Sequence, residues 1–340
     1  MRETAHVTRQ LLARAQSGDG DAFAALTGPF RRELQVHCYR ILGSAADAED
    51  MLQETMMAAW RGLDRFEGRA SLRTWLHAIA TNKCLNHLRA SRTLAPYPPE
   101  VPLPEPTRSG EPLWLEPYPD ALLGDLPDDA LGPEARYEVR ESVSLAFVTA
   151  LQHLPPRQRA ALVLRDVLGF RAAETAAILG CTVDAANNLL KRARATIASH
   201  LPPGGRDRAP LPGSAREQQI TARFAEAFEH GDVQAIVALL TDDAWLTMPP
   251  LPFEYQGLDT IANFLDVVVF RHGTRRSRLI PTRANGQPAF GRYLADPYTP
   301  VGHAHGLIVL TLAGDYINAI TGFTDNSVLP RFGLPRTLPE

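Results

Sequence analysis

Residues 162–194 constrain the fold more than any other stretch, because they read as a helix–turn–helix. The Ala-rich run 172–179 predicts a short helix that Gly180 ends, since glycine readily adopts the left-handed conformation found there. Thr182 is then placed to cap a second helix. Asp184 in the first turn of that helix suits the positive end of the helix dipole.

The predicted second helix has one apolar and one polar face. Its apolar positions recur at steps of three and four and are Val183, Ala186, Leu190 and Ala193. The opposite face carries two amides and three cations, which are Asn187, Asn188, Lys191, Arg192 and Arg194. In a DNA major groove amides pair with base edges and cations with phosphates, so this pattern favours DNA binding. A helical hairpin with a solvated basic face is the alternative.

The formal net charge of -3 is unevenly distributed along the chain. Residues 69–92 hold five Lys/Arg and no acid, and residues 140–200 hold eight Lys/Arg and four acids. Between them, residues 93–139 hold ten acids and two arginines. Two basic blocks separated by an acidic segment indicate two nucleic-acid contacts on one chain.

The remaining composition fits an ordinary globular chain of 340 residues, which predicts two or three domains. Cys38, Cys84 and Cys181 are far apart and lack metal-ligand spacing, so we expect no disulfide framework, metal site or cofactor. No apolar leader or membrane-length run is present, which predicts a cytoplasmic chain without a membrane partner.

The first ninety residues predict helices at 8–16, 21–43, 45–66 and 71–91. Residues 93–133 contain eleven prolines and predict a linker. The aromatic and aliphatic cluster at 114–123 inside it indicates either docking onto a partner or another domain, or a purely local cluster.

The second half of the chain changes character after another set of helices. Residues 202–213 predict a second linker, and 217–240 predict a helix. Strand-like runs follow at 245–248 and 306–312, with a helix at 258–270 between them, which is typical of an α+β domain.

Several blocks resemble bacterial extracytoplasmic function (ECF) sigma factors of the sigma-70 family. The segments DAEDMLQET (47–55), FEGRASLRTWL (66–76) and IATNKCLNHLR (79–89) are similar to region 2, and LPPRQR (154–159) with the helix–turn–helix is similar to region 4. The C-terminal segment resembles the SnoaL-like, NTF2-type domain of some members. The resemblance implies a multidomain fold class, with two all-α sigma domains (a region 2 helical bundle and a region 4 helix–turn–helix) and a C-terminal α+β NTF2-like cone.

The implied domains are region 2 at 8–92, an acidic Pro-rich linker at 93–135, region 4 at 136–201, a linker at 202–215, the NTF2-like domain at 216–330 and a tail at 331–340. Such a protein has no catalytic site of its own. It binds core RNA polymerase, at the clamp helices of the β′ subunit and the flap of the β subunit, and directs promoter-specific initiation through the −10 and −35 elements. The C-terminal domain is expected to regulate it in cis.

The resemblance also assigns site residues by position. Those implied to bind core polymerase are Asp47, Glu49, Asp50, Gln53 and Glu54. Those implied to contact the −10 element are Arg69, Arg73, Asn82, Lys83, Asn86 and Arg89. Those implied to contact the −35 element are Arg171, Asn187, Asn188, Lys191, Arg192 and Arg194. Trp75 and Leu76 are expected in the core, whereas Phe66 could pack or stack on a base.

Two other functions stay open for the C-terminal domain: a DNA-tethered enzyme, or a ligand-binding regulator that uses an NTF2-type pocket for a small ligand. The candidates for chemistry are Asp242, Asp243, Asp259, His303, His305 and Asp325. Strand alternation predicts that His303 and His305 face the same side. The region 2 block argues against a repressor in which the helix–turn–helix acts alone.

Overall fold

The chain forms two units, and neither is continuous in sequence. The computed structural model describes residues 2–90, 102–110, 113–123, 142–200, 209–296 and 298–339. One unit combines Met1–Arg92 with Asp125–Leu201, and the other combines Thr93–Gly124 with Pro202–Glu340. The segment predicted as the first linker therefore belongs in large part with the C-terminal domain.

The described part of the first unit is helical. Its helices are α1 (Arg2–Gln16), α2 (Gly20–Leu42), α3 (Ala45–Gly62), α4 (Leu72–Ala90), α5 (Leu145–Gln152), α6 (Pro156–Leu162), α7 (Ala172–Leu179) and α8 (Val183–His200). A short 3-10 turn, Leu63–Arg65, follows α3, and a wider π turn, Val163–Val167, follows α6.

Polar caps set the N-terminal boundaries of α2 and α3. The Asp19 carboxylate accepts a hydrogen bond from the Ala22 amide at 3.0 Å, and the Ser44 hydroxyl accepts one from the Asp47 amide at 3.0 Å. Leu76 is fully buried. The ring of Trp75 lies 5.0 Å from that of Phe66, so Phe66 packs within this unit.

The helix–turn–helix has the predicted boundaries. Gly180 adopts φ 58°, in the left-handed region, between α7 and α8. The Ala185 amide donates to the Thr182 hydroxyl at 3.2 Å, which caps α8. The apolar positions Ala186, Leu190 and Ala193 are buried as predicted, but Val183 is 42% exposed and does not belong to the packing face.

The predicted region 2 and region 4 segments pack together in this unit. The Arg40 Nε donates to the Ser142 carbonyl at 3.0 Å, and a guanidinium N–H of Arg159 donates to the Ile41 carbonyl. Both arginines are buried. Helix α4 contacts α7, where the Thr74 hydroxyl donates to Glu174 at 3.3 Å.

The second unit is a single mixed sheet with helices. Its strands are β1 (Arg108–Ser109), β2 (Leu240–Thr247), β3 (Phe253–Gln256), β4 (Ser277–Ala284), β5 (Gln287–Ala295), β6 (Val301–Ala313), β7 (Tyr316–Phe323) and β8 (Thr337–Pro339). The order is β1-β3-β2-β7-β6-β5-β4, and β8 pairs with β6. Strands β2 and β7 are parallel, and the other pairs are antiparallel.

The helices of this unit are α9 (Ala215–His230), α10 (Val233–Val237) and α11 (Leu258–Phe264), with a π turn at Leu265–Phe270 and a 3-10 helix at Asn326–Phe332. The prediction of one helix over 217–240 is wrong. Gly231 takes φ 71°, and the Asp232 carboxylate caps α10 by accepting from the Ala235 amide at 2.9 Å. Glycine and aspartate thus end one helix and start another, and β2 begins at Leu240.

Residues 102–110 and 113–123 of the acidic, proline-rich segment pack as a strap on this sheet. Its β1 pairs with β3 and forms the edge of the sheet there, and Arg108 donates to Glu254 at 2.6 Å. Further along, the buried Tyr118 amide donates to the Asn285 side chain at 2.8 Å, and the Asn285 amide donates back to the Tyr118 carbonyl at 2.9 Å. The cluster predicted to dock therefore packs on the C-terminal domain.

Within the described ranges, no helix is both long enough and apolar enough to span a bilayer.

Two buried histidines are expected to make the stability of the first unit depend on pH. The rings of His37 and His77 lie 5.2 Å apart, and His37 Nε2 is 2.9 Å from the Thr81 hydroxyl. Burial lowers the pKa of both histidines, and the charge of His77 lowers that of His37 further. Because the unfolded chain then binds more protons below about pH 6.5, the free energy of unfolding should fall as the pH drops.

We expect hydrogen exchange of the α2 and α4 amides in the full chain to show a loss of roughly 1–2 kcal/mol between pH 6.5 and 5.5. His37→Gln should make this dependence shallower, whereas replacing the exposed His230 with Gln should leave it unchanged. Equal slopes in the wild-type chain and in His37→Gln would contradict this account.

Candidate nucleic-acid interface

The polar face of α8 is open to solvent. Four side chains on this face are exposed: those of Asn187, Asn188, Lys191 and Arg192. None of these side chains makes a hydrogen bond or ion pair with another described residue. The buried residues of the same helix anchor it on the opposite side. This leaves two amides and two cations available to one external surface.

The two other arginines predicted for this face differ in their surroundings. Arg194 donates from Nε and Nη2 to the Asp166 carboxylate at 2.9 and 2.7 Å, so part of its charge is compensated. Arg171 is exposed just before α7. A cation in either position is suited to a phosphate contact.

Helix α4 presents a second polar surface. Asn82, Asn86 and Arg89 are exposed, and Arg89 donates to the Asn86 side-chain oxygen at 3.0 Å. Arg69, in the segment before α4, is exposed and lies 2.5 Å from Glu67.

Two other cations of this block are engaged. Arg73 Nε donates to Glu33 at 2.8 Å, its Nη2 donates to the Leu168 carbonyl at 3.2 Å, and its guanidinium lies 4.6 Å from the centre of the Phe170 ring. Lys83 donates to Glu54 at 2.7 Å. Arg73 thus faces the packed helices of its own unit, which the sequence did not reveal.

The acidic face of α3 lies beside α4. Glu49, Asp50 and Gln53 are exposed and make no hydrogen bond with another described residue. Glu54 is paired with Lys83, which lowers the pKa of the Glu54 carboxyl. Asp47 lies 3.5 Å from His87 Nε2. Three of the five predicted residues therefore remain open to an external partner.

The C-terminal domain contains an apolar cavity between its sheet and its helices. Of the six candidate functional residues of this domain, His305 alone lines that cavity. The other five are exposed, namely Asp242, Asp243, Asp259, His303 and Asp325. His303 Nε2 lies 3.1 Å from Asp296. The pairing register of β6 with β5 shifts between His303 and His305. Regular strand alternation therefore does not determine which side of the sheet each of these two side chains faces.

The cavity also contains a residue that sequence analysis missed. Arg292 lies on β5, where strand alternation places it on the same side as the core residue Phe290. An arginine on the apolar side of a strand was the signal that could have found it.

Comparisons with known proteins agree with this arrangement. The family models of Sigma-70 region 2 and Sigma-70, region 4 match residues 28–93 and 144–197. The ECF RNA polymerase sigma factor SigG of Mycobacterium tuberculosis strain H37Rv is 43% identical over 324 residues, which cover 93% of this chain and 85% of SigG.

The chain belongs to the ECF sigma factors of RNA polymerase.

Other relatives extend the likeness beyond the two sigma regions. The ECF sigma factor SigJ of the same organism is 29% identical over 251 residues, which cover 72% of each chain. The crystal structure of SigJ superposes with a TM-score of 0.58 at 23% identity and covers 90% of this sigma factor and 97% of SigJ. The predicted fold class is confirmed in helical sigma regions 2 and 4 and in a sheet-rich C-terminal domain that combines helices with one mixed sheet.

Helices α3 and α4 lie within the region 2 match, and all but the last three residues of α8 lie within the region 4 match. The acidic face and the α4 surface are thus both parts of region 2, and the open amide and cation face of α8 belongs to region 4.

Proposed function

We propose that this sigma factor divides promoter recognition between two helices, with α8 reading the −35 element and α4 the −10 element. As a member of its family it binds core RNA polymerase and directs promoter-specific initiation. The observation that carries the proposal is the open face of α8, where Asn187 and Asn188 can reach base edges while Lys191 and Arg192 reach phosphates. Arg171 and Arg194 would add phosphate contacts at its margins.

The −10 surface comprises Arg69, Asn82, Asn86 and Arg89, with Arg73 and Lys83 joining once their present acidic partners are exchanged for DNA. Amides and cations on one helix suit a strand whose bases are unstacked.

Core polymerase would bind the acidic face of α3. Glu49, Asp50 and Gln53 are open, and Asp47 and Glu54 flank them. An acidic surface steers a basic partner and fixes its register, which suits the clamp helices of the β′ subunit. Region 4 would meet the flap of the β subunit.

Reading both elements requires regions 2 and 4 to separate. The −10 and −35 elements lie about 25 base pairs apart, roughly 85 Å at 3.4 Å per base pair. In the packed unit α4 instead contacts α7, and Arg73 contacts Leu168 and Phe170. The packed arrangement is therefore a resting form.

The C-terminal domain would regulate this opening through the strap. The Asp120 carboxylate accepts from the Gly286 amide at 2.7 Å and from Arg283 at 3.2 Å, beside the buried pairing of Tyr118 with Asn285. Because the strap is part of the chain that joins regions 2 and 4, holding it on the sheet shortens the span available between them.

Substitutions on α8 test DNA recognition. Lys191→Ala and Arg192→Ala should weaken binding of the holoenzyme to all −35 sequences alike, and each should lower the salt slope by about 0.9. Asn187→Ala and Asn188→Ala should instead alter base preference at one position, by roughly 1–3 kcal/mol. Run-off transcription and promoter binding at several salt concentrations measure both effects.

Arg223→Ala, at an exposed position on α9, is the matched control and should behave as wild type. If the cation variants and the amide variants gave the same profile across −35 sequences, α8 would not be the reading helix.

Release of the strap tests regulation in cis. Asn285→Ala removes the side-chain acceptor of the buried Tyr118 amide, a loss of roughly 1–3 kcal/mol, so at limiting sigma factor we expect at least about fivefold more run-off transcript. A chain that ends near Gly205 should show at least the same rise. Asp242→Ala, an exposed change on the same domain, should not alter the output. Unchanged or lower output from both altered chains would rule out this role of the strap.

A further inference from the structure

The C-terminal domain contains a partly open cavity of about 60 Å³ with almost wholly apolar walls. The walls come from α9, α11 and strands β2, β6 and β7, and include Phe228, Leu246, Met248, Phe264, Ile308 and Ile320. None of the described residues that line it is acidic. Such a space favours a ligand with an apolar body.

One full positive charge lies in this apolar wall. Arg292 is 8% exposed, its Nε donates to the Ser277 hydroxyl at 2.9 Å, and its Nη2 donates to the Val269 carbonyl at 3.1 Å. Its guanidinium also lies 5.4 Å from the centre of the Phe228 ring. Nη1 makes no hydrogen bond with another described residue, and no described carboxylate forms an ion pair with this arginine.

Neutral partners hold the guanidinium in place but do not compensate its charge. Burial, followed by repulsion from Arg275, lowers the pKa of Arg292 to about 9, so the side chain stays protonated at neutral pH. A buried cation without a counter-ion is unfavourable, which makes its retention in a cavity wall a feature to explain.

The surroundings add positive charge. Burial and the charges of Arg292, Arg275 and Arg271 lower the pKa of the cavity residue His305 to about 4, so that it is neutral at pH 7. Asp266, next to the lining residue Leu265, lies 2.7 Å from His272. Asp325, next to the lining residue Thr324, accepts a hydrogen bond from the Ser327 amide at 2.8 Å. Neither acid lines the cavity.

We propose that this cavity binds a small organic carboxylate, whose anionic group pairs with Arg292 and whose compact apolar body contacts Phe228, Leu246 and Phe264. The carboxylate supplies the missing counter-ion and accepts a hydrogen bond from Nη1, and the guanidinium matches its planar geometry. Binding of this anion does not require that the domain regulate transcription.

The cavity volume sets the size of the ligand. A water-sized group occupies about 10–15 Å³ by this measure, so 60 Å³ holds roughly four to six such groups. That space fits a carboxylate with a three- or four-carbon body better than a long fatty acid.

NMR titration of the methyl-labelled full chain tests the proposal, with acetate, butanoate, octanoate and 1-butanol as probes. We expect butanoate to bind with a dissociation constant on the order of 1 mM and to shift the methyl resonances of Leu246 and Ile308. Butanoate should bind at least tenfold more tightly than 1-butanol, and more tightly than acetate or octanoate. Absence of binding, or equal affinity for butanoate and 1-butanol, would overturn the proposal.

Arg292→Met keeps the length of the side chain and removes its charge. We expect it to lose at least tenfold in butanoate affinity and to bind butanoate and 1-butanol alike. Because an uncompensated charge is removed, the thermal midpoint of the variant should not fall. Arg223→Met on exposed α9 is the control and should bind as wild type. An unchanged butanoate affinity in Arg292→Met would also refute the proposal. The comparison of butanoate with 1-butanol in the wild-type chain tests the proposal independently of this variant.

Discussion

Two buried guanidinium groups hold the sigma regions together, and the rest of the account depends on them. Arg40 donates to Ser142, and Arg159 donates to the Ile41 carbonyl and to the Leu154 carbonyl at 3.2 Å. Burial lowers the pKa of Arg159 to about 10, which leaves it charged at neutral pH. The contacts of Arg40 with Ser142 and of Arg159 with Ile41 cross between the regions, so they are lost together when the regions part.

Because of this packing, the polar surfaces of regions 2 and 4 differ in how far their side chains are engaged by other residues. The α8 face is already open, whereas Arg73 of α4 is held by Glu33 and by groups of region 4. We propose that polymerase and promoter compete with these internal contacts. In this proposal the strap on the C-terminal sheet would act through the length of the tether between regions 2 and 4, whereas the anion site proposed around Arg292 is a separate feature of the C-terminal domain.

Much of this arrangement could be predicted from the sequence because capping and helix-ending residues determine it locally. Gly180 and Thr182 set the helix–turn–helix boundaries because each acts on its immediate neighbours. The single helix expected over 217–240 failed because the same kind of signal, Gly231 with its capping neighbour, was overlooked. Contacts across long separations were not readable: Arg73 meets a residue 95 positions away, and the strap meets Asn285, 167 positions from Tyr118. Such pairings depend on tertiary packing, which spacing along the chain does not encode.

The most direct test of the central claim is the distance between α4 and α8, measured by single-molecule fluorescence energy transfer. Dyes at Ala90→Cys and Ala198→Cys, exposed positions on α4 and α8 outside the proposed DNA contacts, report this distance in a chain that also carries Cys181→Ser and leaves the buried Cys38 and Cys84 unlabelled. The account predicts high transfer in the sigma factor alone and a shift to low transfer once core polymerase and promoter DNA are added. High transfer that persists in the promoter complex would contradict it.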